Sequence, residues 1–147
     1  MWAGSLSHNG LTGCGTEGDW ASHQLEHELG GMFDVAHGAG LAAVWGSWAR
    51  YVYKEKPARF AQFAANVFNI PWNSSNLEQM ALDGIQAMEA FYRSIHMPTS
   101  LAELGVNPTE EQIQELAKKC SFMGKRTVGT FKVLQIPDME AIYKMAR

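Results

Sequence analysis

"HQLEHELGGMFDVAHG", His23 to Gly38, holds three of the chain's five histidines. His23 and His27 stand four positions apart, a spacing that puts two side chains on one face of an α-helix about a turn from each other. Gly30 and Gly31 follow, and such a pair lets a chain leave a helix sharply. His37 comes fourteen positions after His23, at the head of a second run, "GAGLAAVWGSWARYVYK". The stretch therefore predicts a helix closed at the glycine pair and a second helix starting near His37. That arrangement lets the third imidazole return to the space faced by the first. Gly38, Ala39, Gly40, Ala42 and Ala43 are small, which permits close backbone packing and leaves room for a ligand.

Working outward, the pattern stays helical almost throughout. Residues 1–13 carry Trp2, Leu6 and Gly10 at four-residue steps, a helical spacing with no capping residue before it. Thr16 with Asp19 approximates a capping box in front of the histidine helix. Pro57 suits the first turn of another helix, where Phe60, Phe63, Ala64, Val67 and Phe68 recur at helical spacing. Ser75 with Glu78 forms a capping box before a long helix carrying Leu77, Met80, Ala81, Ile85, Met88, Tyr92 and Ile95 on one face. Ser100 with Glu103 predicts a short helix, and Thr109 with Gln112 a longer one. "GKRTVGTFKVL" (124–134) breaks the pattern and reads as loop or a short extended piece, after which Pro137-Asp138 introduces a terminal helix to Arg147. About seven helices with short connections, and no repeat, linker or low-complexity tract, make one all-α, bundle-like domain over residues 1–147. The aromatic and methionine stripes are its core.

Bulk properties narrow the partners. Of the 147 residues, 46% are apolar and 18% charged, a globular balance, and a net charge of −3 gives no electrostatic case for nucleic acid or an anionic membrane. The charge is uneven. No Lys or Arg precedes Arg50, so Glu17, Asp19, Glu26, Glu28 and Asp34 leave the first 49 residues at −5, in a segment that also holds His8, His23, His27 and His37. Such a segment favours a bound cation, although a solvated acidic surface accounts for the charge equally well. Cys14 and Cys120 are too few for a disulfide framework, the N-terminus lacks a basic leader region, and no apolar run is as long as a membrane span. A cytoplasmic protein is expected.

Neutral imidazole is the commonest protein ligand for transition metals. A lone i,i+4 histidine pair is more often decoration than a site, but a third histidine among small residues, with no base nearby, tips the balance to metal. "HQLEH" also satisfies H-x-x-E-H, the inverzincin pattern, with His23 and His27 as zinc ligands and Glu26 as general base. That reading needs a third ligand such as Glu78 or Glu89, and it leaves His37 and the glycine pair without a role. The "GKRT" loop (Gly124 to Thr127) has no strand–helix turn beside it to make it a phosphate contact, and solvation is its more ordinary use.

Taken whole, "MWAGSLSHNGLTGCGTEGDWASHQLEHELGGMFDVAHGAGLA" closely resembles the iron-containing alcohol dehydrogenases, and within them the NADPH-dependent butanol dehydrogenase branch. The hallmark is H-x-x-x-H followed by H-G, fourteen positions from first histidine to last: here His23, His27, His37 and Gly38. The likeness continues through "YVYKEKPARFAQFAANVFNI" and "SLAELG" to the closing "AIYKMAR". The resemblance implies the family's C-terminal all-helical domain, without the N-terminal α/β domain that binds NADP(H). It implies His23 and His37 as two of four ligands to one divalent ion, Fe2+ or Zn2+. An Asp and a His that precede this stretch in the family would complete the shell. His27 would lie beside the metal near substrate and nicotinamide, aiding proton transfer. Glu26, His8 and Cys14 are the other groups expected near the site.

The activity so implied is hydride transfer between a primary alcohol and its aldehyde, with the metal as Lewis acid. Trp20, Trp45, Phe33 and Met32 are candidates for an apolar substrate pocket, core packing being the more ordinary use of each. With half of the metal shell and the dinucleotide domain outside this sequence, the chain alone is expected to bind metal weakly and to lack dehydrogenase activity. The expected partners are a small alcohol or aldehyde, the missing nucleotide-binding domain and a homodimer mate. A non-enzymatic alternative is a helical assembly module, self-associating through apolar surface left where the other domain docked.

Overall fold

The fold comes from a computed structural model, which describes residues 1–13, 15 and 17–147. Seven α-helices appear among the described residues: α1 (Trp2–His8), α2 (Ala21–Phe33), α3 (His37–Val52), α4 (Pro57–Phe68), α5 (Leu77–Ser94), α6 (Glu110–Cys120) and α7 (Ile136–Ala146). A single 3-10 turn, Tyr53–Glu55, extends α3. The only β feature among the described residues is an isolated antiparallel bridge between Val128 and Leu134, inside the segment expected to be loop or short extended chain. The all-α expectation holds.

α3 is the central element. It packs against α2, α5 and α7, while α4 pairs with α5, and α6 lies against α2 and α7. Its sequence suits that place: Ala42, Ala43, Val44, Ala49 and Val52 are buried, and small side chains let neighbouring backbones approach closely. Leu25 and Leu29 of α2, Ile85 of α5, Ile113 and Leu116 of α6 and Met139 and Ile142 of α7 are fully buried around it. Each such side chain stabilises the fold by roughly 1.5–3 kcal/mol relative to exposure.

Several local expectations are realised. Pro57 opens α4, and Thr109 with Gln112 forms a complete capping box on α6. Others are corrected. The first helix stops at His8 instead of continuing to residue 13, because Gly10 takes a left-handed conformation (φ +79°) and the chain turns there. The glycine pair does not close α2. The helix runs through Gly30 and Gly31 to Phe33 and ends on Asp34 in the left-handed region, whose N–H donates to the Gly30 carbonyl at 3.0 Å. Met32 and Phe33 pack on the core, and that burial outweighs the poor helix propensity of two glycines. α5 is capped by Asn76, whose side chain accepts from the Gln79 N–H at 3.0 Å, not by Ser75. Around Ser100 the chain forms turns over residues 101–105 rather than a helix. There the Glu103 carboxylate accepts from both N–H and Oγ1 of Thr99, at 2.6 and 2.9 Å. Thr16, in the expected cap of α2, lies outside the described residues, but Asp19 acts: its Oδ1 accepts from the Ala21 N–H at 2.8 Å.

No helix among the described residues is long and apolar enough to cross a membrane.

Candidate metal centre

His23 and His27 leave α2 on one side, and His37 is the first residue of α3. The link between them is three residues long. Asp34 turns the chain in the left-handed region, Val35 anchors on the core, and Ala36 is extended (φ −64°, ψ 128°). This tight return folds His37 back over α2. Its ring centroid lies 5.2 Å from that of His23 and 5.3 Å from that of His27, with 6.3 Å between the α2 pair. One nitrogen from each of the three rings falls within 4.8 Å of the others. Ligands to a single zinc ion span at most about 4 Å, twice the usual Zn–N length. The three rings thus converge at a spacing close to that of ligands sharing one ion.

Glu26 completes the cluster from the protein side. Sitting one residue before His27, it is turned by about a quarter of a helical circuit away from the histidine face and into the interior. Its side chain is 1% exposed. One carboxylate oxygen accepts a hydrogen bond from Nδ1 of His37, and the other, Oε1, is buried with no hydrogen-bond partner among the described residues. An unpartnered buried acceptor costs about 1–3 kcal/mol. The nearby N-terminal turn of α3 offsets part of that cost, since its dipole favours negative charge. A Cβ added to Gly40 would stand only 2.6 Å from Oε1 and 2.7 Å from Cγ of Glu26, so the glycine forms the notch that admits the carboxylate.

Electrostatics favour the ligand form of His23. Burial pushes the His23 pKa below the ordinary histidine value, and repulsion from His37, His27 and His8 adds to it, against an upward pull from Glu26. A neutral ring is what a metal requires. Three converging imidazoles and a buried carboxylate beside them fit a divalent transition ion, and imidazole donors suit iron and zinc alike.

Of the other expected groups, Trp20 joins the site: it is 48% exposed and its ring stands 5.0 Å from His23 and 6.0 Å from His8. Together Trp20, His8 and His23 line an open hollow of about 620 Å³ with Gly4 and Ser7. Trp45 packs on the core, edge-on to Tyr92 and against Phe63. Met32 and Phe33 likewise pack on the core. Cys14 lies outside the described residues. The inverzincin arrangement fails on two counts. Glu26 faces inward and is committed to His37, so it does not serve as a solvent-facing general base. Glu89 is held by the Arg50 guanidinium, one bond being 2.8 Å, while Glu78 sits exposed at the start of α5. In the "GKRT" loop Arg126 stacks 3.5 Å from the Phe122 ring and donates from Nε to the Cys120 carbonyl at 2.9 Å, a structural use.

The Glu26–His37 bond was not legible in the sequence as a pairing. The signal available was an acid inside the histidine motif with a glycine at position 40 to make space for it.

Comparison with known proteins agrees with this architecture. The family model "Fe-containing alcohol dehydrogenase family, C-terminal" matches residues 7–147. The chain is 35% identical over 144 residues to the probable NADH-dependent butanol dehydrogenase 1 of Bacillus subtilis, covering 98% of this chain and 36% of that protein. It is 32% identical to the NADPH-dependent aldehyde reductase YqhD of Escherichia coli, covering all of this chain and 37% of the relative. Among solved structures, an NADH-dependent butanol dehydrogenase from Thermotoga maritima superposes with a TM-score of 0.87 at 32% identity, over 99% of this chain and 37% of that one. The YqhD crystal structure gives 0.89 at 31% identity. The chain thus spans a little over a third of the length of the curated relatives it matches.

Proposed function

The chain belongs to the Fe-containing alcohol dehydrogenase family, and on that premise we propose that it is the metal- and substrate-binding half of an NAD(P)H-dependent dehydrogenase interconverting primary alcohols and aldehydes. A separate α/β domain binds the dinucleotide. The relatives' names carry both NADH and NADPH, so the reading extends to either nucleotide. One observation carries it: three imidazoles from two helices bring ligand atoms within 4.8 Å of one another.

In this reading His23 and His37 hold the ion, Fe2+ or Zn2+, and further ligands come from beyond this stretch of sequence. When bound, the ion supplies Lewis acidity toward the substrate oxygen and the nicotinamide supplies the hydride chemistry. The chain's own residues orient and exclude. His27, exposed on the same face, stands where it passes a proton between the substrate oxygen and water. Trp20 covers His23 and limits water on that side. Gly38 and Ala39 keep the mouth beside His37 free of bulky side chains.

The test is metal analysis and alcohol-dependent reduction of NAD+ and NADP+ by the chain, with and without a co-expressed N-terminal domain from a relative. Turnover only in the combined protein, lost in H23A and H37A, is the expected result. Butanol oxidation by the 147-residue chain alone, or combined activity indifferent to both histidines, would overturn the reading.

A further inference from the structure

We infer that Glu26 is the positioning residue of this centre: its carboxylate takes Nδ1 of His37 and thereby presents Nε2 as the ligand atom. The inference rests on the metal-centre reading above and adds to it a residue that touches no ion itself. A carboxylate accepts hydrogen bonds and cannot donate them, so its bond to Nδ1 places the ring proton there and leaves the lone pair on Nε2. An imidazole whose other nitrogen donates to a carboxylate is fixed in tautomer and ring plane and is more basic toward a metal.

Three further features show that the arrangement is built. Glu26 is almost wholly buried, so its carboxylate has little freedom to face elsewhere. One of its oxygens has no partner among the described residues, so the side chain is not placed there to complete a hydrogen-bond network. Finally, the space it fills exists only because position 40 is glycine, three residues along α3 from the histidine it orients. His37 itself is half-exposed at the start of a helix and has no other hydrogen bond among the described residues to hold its ring. His23 and His27, by contrast, are set by the helix that carries them.

The test uses the whole chain and Zn2+ alone. Proton–nitrogen correlation spectra of the imidazole rings, taken without metal, should show His37 protonated at Nδ1 in the wild type. In E26M, which keeps the cavity filled but removes the acceptor, the proton should move toward Nε2, the tautomer a free imidazole prefers. Zn2+ affinity by calorimetry should fall about 10–100-fold in E26M and less in E26Q, whose amide oxygen can still accept from Nδ1. The decisive arm is the double variant: if Glu26 acts through His37, E26M should cost nothing further in an H37A background. An equal loss in that background would make Glu26 a merely structural residue and overturn the inference, as would unchanged affinity or an unchanged ring tautomer in E26M. Should E26M fail to fold by circular dichroism, G40A carries the same comparison, because its methyl displaces the carboxylate without altering it. If the wild-type chain takes up no Zn2+, the metal reading fails, and the ring spectra still uphold or overturn the Glu26–His37 bond.

Discussion

Six residues apart on α3, Gly40 and Gly46 each receive a buried glutamate from a neighbouring helix, Glu26 from α2 and Glu89 from α5. A Cβ on Gly46 would stand 2.1 Å from Oε1 of Glu89, which is held by both terminal nitrogens of Arg50. Overpacking such a notch costs about 1–3 kcal/mol, and G46A should lose that much stability by urea denaturation. R50A should lose roughly 1.5–3 kcal/mol, because it strips a buried carboxylate of its charged donor; since Arg50 is about a third exposed, the lower end is expected. A change below about 0.5 kcal/mol in either variant, the range of an ordinary surface substitution, would contradict the notch description. At this scale the sequence showed the clustered histidines, since a four-residue step and a fourteen-residue return are local distances. It could not show what Glu26 does, because that partner stands on another helix and the H-x-x-E-H pattern invites a different role for the acid. The small residues after His37 suggest room for a ligand, whereas Gly40 is room for a side chain of the protein itself.

Helices are tied to one another by a few polar bonds at their ends, and these titrate. Tyr51, in the last turn of α3, donates from its hydroxyl to Oδ1 of Asp138 in the first turn of α7, at 2.6 Å. That bond, with some burial and the aspartate's charge, pushes the Tyr51 pKa up to about 12 from an ordinary 10.0. Burial, aided by Glu28, likewise pushes the Cys120 thiol up to about 12 from 9.0. A group whose folded pKa is raised contributes stability that is complete below its unfolded value and is lost as pH rises toward the folded one. Unfolding free energy should therefore decline from about pH 9 to about pH 12. Y51F should flatten the part above pH 10, and urea melts across that range read both effects. Asp19 offers a second check. Its two oxygens accept from the Ala21, Thr130 and Phe131 N–H groups at 2.8, 2.8 and 2.7 Å, so one side chain both caps α2 and pins the 129–131 loop. D19A should cost roughly 1–3 kcal/mol in a thermal or urea melt, the range for stranding donors in a folded protein. Helix existence was legible wherever apolar periodicity was long, as in α3, α4 and α5. Helix ends were not: the Gly30-Gly31 stop yields to the burial of Met32 and Phe33, and Asn76 takes the cap from its neighbour Ser75 by a difference that only the backbone geometry decides.

For the molecule as a whole, the family and the helical architecture were both legible, because the histidine spacing and the apolar stripes extend along the chain. The chain covers 36–37% of the length of its curated relatives. Metal uptake should then be visible as stabilisation. Zn2+ at about a hundred times its dissociation constant adds about 2.7 kcal/mol to the folded state, a rise in melting temperature that calorimetry detects. H23A and H37A should remove that rise, whereas R50A, distant from the imidazoles, should leave it in place on a lower baseline.

The hydroxyl of Tyr143, four residues before the end of the chain, donates at 2.7 Å to the carbonyl of Leu25, two residues beyond His23. With Asp19 gripping the loop at Thr130, the helix bearing the imidazole pair is moored to segments more than a hundred residues further along the sequence. A growing polypeptide therefore carries all three rings well before Thr130 and Tyr143 are present to moor their helix.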